Sequence, residues 1–186
     1  MHKGLFQLPK ILTVIIVFSA IILSEFISSL SNIDPLSNSP IWLSAGIAIS
    51  LCFLYGRHII PIIFVASSVG SFVSLNDTSF ANASVYSIFY SLCLSLQTLS
   101  IYQIFKRHST NSNPLKSSRD LLLYLSACAV ISLVTSVVIN VIYCTFIVKE
   151  QPQFTEILNL LFSDCLSLLV IPAVTFSLQN TIQTPK

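Results

Sequence analysis

The sequence predicts an all-α fold: a polytopic transmembrane bundle of about six helices with both termini cytoplasmic. Composition, hydropathy pattern and charge placement predict it. Of the 186 residues, 54% are hydrophobic and only 9% are charged, and the mean hydropathy is +0.84. A water-soluble domain carries about 25% charged residues to cover its surface. The apolar residues form long runs, without the alternating polarity that membrane β-strands show over about ten residues. The basic residues fall on one side. With the N-terminus inside, Lys3, Lys10, Arg57, Lys106, Arg107, Lys116, Arg119 and Lys186 are cytoplasmic, eight of the nine Lys and Arg; Lys149 alone is outside, near Glu150 and Glu156. This positive-inside distribution requires an even number of spans. A formal charge of +2 is too small to argue for nucleic acid.

A bilayer core needs roughly 20 residues of helix, and the runs are read against that length. Segment one covers about 11–30; it lacks the small-residue cleavage site of a signal peptide and is followed by runs of similar length. Segment two covers about 41–55 and segment three about 59–75. Both are short, and a hairpin that only just spans or a re-entrant pair fits their length. Pro40 and Trp42 open segment two, Tyr55-Gly56 closes it, and Pro61 opens segment three, in keeping with Pro at helix starts and Gly at helix ends. Arg57-His58 forms the elbow between them, which predicts a tight antiparallel pair. Segments four (about 83–105), five (about 121–148) and six (about 154–178) are long enough to cross, and five is long enough to tilt or kink. The polar stretch 106–120 reads as a cytoplasmic loop, and residues 1–186 read as one domain.

Cys52, Cys93, Cys128, Cys144 and Cys165 all lie inside apolar segments with no CxxC and no His at ligand spacing. They read as small packing residues rather than metal or disulfide sites, and no cofactor is expected. Serines such as Ser67, Ser68 and Ser71 beside Gly70 read as a close-packing signal. The sequons Asn76-Asp77-Thr78 and Asn82-Ala83-Ser84 fall on the outer side.

Ionisable and strongly polar residues inside a membrane are costly and face partners or wet cavities. Glu25, Asn140 and Asp164 are such residues. The assigned topology places all three in the outer half of the bilayer at similar depth, with Trp42 and Ser44 at the outer entry of segment two. These five are the candidate lining of one outward-facing pocket that binds a small ligand or holds a proton. The alternative is that each acid is separately bonded to neighbouring helices. Arg57 and His58 of the elbow, with Lys106 and Arg107, are candidates for docking a cytoplasmic partner, alongside the blander reading of a solvated basic surface.

The residues Ile41-Trp42-Leu43-Ser44-Ala45-Gly46-Ile47-Ala48, then Tyr55-Gly56-Arg57 and Pro61, resemble the Trp-x-Pro/Ser-Ala-Gly-Ile-Ala, Gly-Arg and Trp-Pro pattern of the type-one membrane-associated sensor (MASE) family of bacterial signalling proteins. Leu160 to Pro172, with Asp164 followed by small and apolar residues and Val170-Ile171-Pro172, is similar to the family's late element, and Ser118-Arg119-Asp120-Leu121-Leu122 fits its spacing. Position 60 is Ile where the family usually has Trp, and Ser167 replaces a common Gly. The resemblance implies a sensory input domain in the bacterial inner membrane. The family's sensor region usually has eight or more spans followed by an output domain, whereas this chain shows six segments and no kinase His box, GGDEF or EAL sequence. The resemblance therefore implies a stand-alone or truncated sensor. Its stimulus would be an unknown small ligand, and its output a cyclase, phosphodiesterase or histidine kinase in trans. The substrate-binding subunit of a vitamin-type transporter is the alternative, with an orphan structural membrane protein third. No nucleophile–base pair or ligand cluster argues for an enzyme.

Overall fold

The computed structural model describes residues 10–30, 42–75, 79–109, 114, 116–149 and 151–183. They form six α-helices and no strand: α1 (Lys10–Leu30), α2 (Leu43–Tyr55), α3 (Ile60–Ser74) after a 3₁₀ turn at Arg57–Ile59, α4 (Phe80–His108), α5 (Ser118–Tyr143) and α6 (Phe154–Gln183). Five of them, counting α3 with its 3₁₀ turn, are long and apolar enough to cross a membrane. The exception is α2, whose 13 residues reach about 20 Å against a hydrocarbon core of about 30 Å. Pro40, Ile41 and the sequon at 76–78 lie outside the described residues.

Side-chain contacts show that the helices alternate in direction. Near one end, Glu25 of α1 meets Tyr90 of α4, Trp42 at the head of α2 meets Ser163 of α6, Phe72 of α3 meets Phe80 of α4, and Tyr86 of α4 meets Tyr143 of α5. Near the other end, Phe53 of α2 packs against Tyr102 and Phe105 of α4, Tyr124 of α5 and Phe176 of α6, with ring centroids 5.3 to 6.1 Å apart. The exposed basic residues Arg57, Lys106 and Arg107 lie at this second, aromatic end.

The shortest helix is the central one. Eight of the residues of α2, from Ser44 to Cys52, are buried, and α2 packs against α6, α1 and α4. The expected tight pair of α2 and α3 is not formed. The two barely touch, and α3 packs instead on α1 and α4. The reason lies in the small residues. In a membrane, helices associate by close van der Waals approach rather than by hydrophobic force, and small residues decide who approaches whom. A Cβ on Gly46 would lie 2.2 Å from the Ser167 carbonyl oxygen of α6, and one on Gly70 of α3 would lie 2.8 Å from Glu25 Cγ of α1. Gly46 thus commits α2 to α6, and Gly70 commits α3 to α1. Gly56, at φ 89°, takes the backbone conformation that lets the chain turn away between them.

The long helices differ from expectation at their ends. Because α4 runs through His108, Lys106 and Arg107 stand on its last turn rather than in the following loop. Ser117 caps α5 by accepting the Asp120 N–H at 3.2 Å and donating to the Asp120 carboxylate at 3.0 Å, a reciprocal arrangement akin to a capping box. A π turn at Cys144–Val148 ends α5, and Pro172 lies inside α6.

Many hydroxyls do no inter-helix work. Ser50, Ser67, Ser68, Ser74, Ser91, Thr98 and Thr175 each donate to the carbonyl four residues earlier on their own helix at 2.7 to 3.0 Å, which satisfies them without a partner helix.

Candidate functional site

The polar groups that do cross between helices converge on Tyr90 of α4. Its hydroxyl donates to Glu25 Oε1 of α1 at 2.7 Å, lies 3.0 Å from Ser44 Oγ of α2, and accepts from the Trp42 indole Nε1. A phenol has one proton to give and two lone pairs to fill, so these three contacts use its full capacity. The indole and phenol rings also pack at 5.1 Å, and Tyr86 stacks on Tyr90 at 6.0 Å. The backbone is drawn in as well. Trp42 N donates to Ser163 Oγ of α6 at 2.5 Å and Leu43 N to Ser28 Oγ of α1 at 3.3 Å. The first N–H groups of a helix have no partner within it, and here hydroxyls of two neighbouring helices supply partners. This ties the start of the short helix α2 into the bundle.

A second set lies two turns further along α4. Gln97 donates its amide to Asp164 Oδ2 of α6 and, at 3.1 Å, to Ser132 Oγ of α5. Between the two sets is a cavity of about 10 Å³, lined by Trp42, Tyr90, Gln97, Ser136 and Asp164 together with apolar residues. That is room for about one water. Glu25 and Asp164 are 7% and 8% exposed, and among the described residues neither carboxylate is ion-paired. Hydroxyl and amide donors alone serve them. This arrangement can hold or pass a proton, or rearrange when one partner is displaced.

The five pocket candidates are thus distributed unevenly. Glu25, Trp42 and Ser44 meet at Tyr90, and Asp164 shares a cavity wall with Trp42. Asn140 is fully buried elsewhere. It donates to Glu156 at the start of α6 at 3.2 Å, with the Cys144 thiol 3.7 Å from its Oδ1. Asn140 stands eight residues from Ser132 on α5 and Glu156 eight residues from Asp164 on α6, so this group lies about two turns away from the Gln97 set rather than at its depth. Arg57, His58, Lys106 and Arg107 are all exposed at the aromatic end, and Lys106 Nζ lies 5.9 Å from the centre of the Tyr102 ring. The cysteines are free thiols.

Sequence reasoning passed over Tyr90, Gln97, Ser132, Ser163 and Glu156. Gln97 carried a usable signal: a carboxamide in the middle of an apolar run is subject to the same cost argument as Asn140. Tyr90 carried none, since nothing in the pattern separates it from the other tyrosines.

A protein-family model described as MASE1 matches residues 11–183, nearly the whole chain. No curated protein and no solved structure matches the chain significantly.

Proposed function

From a chain that belongs to the MASE1 family of membrane sensory input domains, we propose a bacterial inner-membrane sensor that acts on a separate cytoplasmic output protein. The observation that carries this reading is the Tyr90 junction. One phenol joins α1, α2 and α4, and the Trp42 backbone extends the connection to α6. A stimulus that displaces any one partner changes the hydrogen bonding of four helices at once. Signalling needs an element with two arrangements whose balance a stimulus shifts by a few kcal/mol, and a network of hydroxyl–carboxyl bonds in a low-dielectric interior has that character. Glu25, Trp42, Ser44 and Asp164 are the input residues in this reading. Asn140 supports the outer end of α5 and α6.

The output surface is the aromatic end. Arg57, His58, Lys106 and Arg107 project from the α2–α3 turn and the last turn of α4, and Phe53 links the helices that carry them. A cyclase, phosphodiesterase or histidine kinase docks there through acidic groups.

The test is to express the full-length chain in its native cells as wild type, Glu25→Gln and Asp164→Asn. Cyclic dinucleotide levels and kinase phosphorylation are then measured, with the partner recovered by crosslinking. At least one variant is expected to lock the output high or low. If both variants leave every output as the wild type does, the pocket has no input role.

A further inference from the structure

Gln97 separates two spaces. On its inner side is the small cavity shared with Trp42, Tyr90 and Asp164. On its outer side is a groove of about 370 Å³ between α4 and α5, lined by Leu96, Gln97, Ser100, Val130, Val134 and Thr135 among others. Leu96, Val130 and Val134 are 52%, 64% and 59% exposed, so in a bilayer this groove opens to lipid. We propose that it is a lateral binding site for a small membrane-dissolved amphipath that carries a hydroxyl, such as a long-chain phenol or alcohol.

Unused hydrogen-bonding capacity on Gln97, which lines the groove, points to the ligand chemistry. The Gln97 amide nitrogen is spent on Asp164 and Ser132, while its carbonyl oxygen has no partner among the described residues, although the residue is only 3% exposed. In its ionised form the Asp164 carboxylate accepts only, which fixes the amide orientation and leaves the oxygen as the free end. Thr135 has no proton to give, because its hydroxyl donates to the Ile131 and Ser132 carbonyls, and it can only accept. Ser100 lies one turn along α4 from Gln97 and adds a half-buried hydroxyl to the same wall. The remaining lining is mostly apolar. The occupant must therefore have an apolar body and donate a hydrogen bond, and a hydroxyl that can also accept from Ser100 fits best. The groove's volume is in the range of small-molecule sites. The Gln97 side chain that would take this bond also holds Asp164 and lines the cavity next to Trp42, so occupancy is felt at that cavity.

The chain has a single tryptophan, and it lines that cavity, so binding has a built-in reporter. The experiment titrates the full chain in nanodiscs with 4-octylphenol and with its methyl ether 4-octylanisole, exciting Trp42 selectively at the red edge of its absorption. The two probes have nearly the same apolar body, but only the phenol donates. The expected result is a saturable change in Trp42 emission with the phenol and about tenfold weaker binding of the ether. Gln97→Leu is expected to abolish the preference. If that variant does not fold, Val134→Phe fills the groove from the lipid side without touching Gln97, and is expected to remove the saturable response. A non-saturable response, equal affinity for phenol and ether, or unchanged binding in Val134→Phe overturns the site. Binding is read on the chain alone and sensory function on cellular output, so either can fail without the other.

Discussion

Tyr124 of α5 donates its hydroxyl to the main-chain carbonyl of Leu168 in α6 at 2.6 Å. Leu168 stands four residues before Pro172, the proline inside α6. Proline has no N–H to return to that carbonyl, and a bilayer offers no water to replace it. The phenol of a neighbouring helix fills the gap. The same ring packs against Phe53 and Phe105 in the aromatic cluster, so the break in α6 is tied to the end of the bundle that carries the exposed basic residues.

Tyr124→Phe is expected to destabilise the protein by about 1 kcal/mol, the usual scale for an inter-helix hydrogen bond in membranes. In a Pro172→Ala background the Leu168 carbonyl regains a helical donor, and the cost of Tyr124→Phe should fall toward zero. A double-mutant cycle of unfolding in SDS measures this coupling. Additive effects would show that the hydroxyl is not compensating for the proline.

Gly46→Ala places a Cβ 2.2 Å from the Ser167 carbonyl oxygen and 2.7 Å from its carbon. Both are backbone atoms that cannot step aside, so the expected loss is about 3 kcal/mol or failure to accumulate in the membrane. Gly70→Ala meets the Glu25 side chain at 2.8 and 3.0 Å, with the nearest backbone atom, Ile22 Cα, at an ordinary 3.8 Å. It should cost less, about 1 kcal/mol, while shifting Trp42 emission through Glu25 and Tyr90. SDS unfolding and fluorescence of the two variants compare them directly, and equal stability losses would count against this packing.

Tyr90→Phe removes the partner shared by Glu25, Ser44 and the Trp42 indole. An expected loss of about 2 kcal/mol follows from leaving buried polar groups without partners, with a shift in Trp42 emission. Tyr86→Phe keeps the stacked ring and provides the control, with little change expected in either readout. Similar behaviour of the two variants would contradict the role of the Tyr90 hydroxyl as the junction.

Asn140→Leu removes the donor to Glu156 and is expected to cost about 1 to 2 kcal/mol without altering Trp42 emission. The Asn140–Glu156–Cys144 group is separate from the Tyr90 and Gln97 sets. A large change in Trp42 emission would join it to them.

The local sequence made much of this protein readable. Apolar run lengths placed six helices, with ends displaced by up to five residues in α5 and α6, because a membrane helix must satisfy its whole backbone internally over a set length. The cost of burying Glu25 and Asp164 marked them as groups that need partners, and both make hydrogen bonds to neighbouring helices. Helix ends were less visible: α4 extends through Arg107 and His108, since charged residues at the interface do not oblige a helix to stop.

What determined the rest was which helix lies beside which. Sequence adjacency and a two-residue elbow favoured α2 beside α3, but Gly46 fits only against the backbone of α6 and Gly70 only against α1. That choice made the 13-residue α2 the core of the bundle. It brought Tyr90 and Gln97 of α4 to the two acids and left Asn140 with Glu156, about two turns along α5 and α6 from the Gln97 set. Composition and apolar run length indicate which segments are long and apolar enough to enter a membrane. The angle at which each faces its neighbours comes from steric fit between helices, and only the folded bundle supplies it.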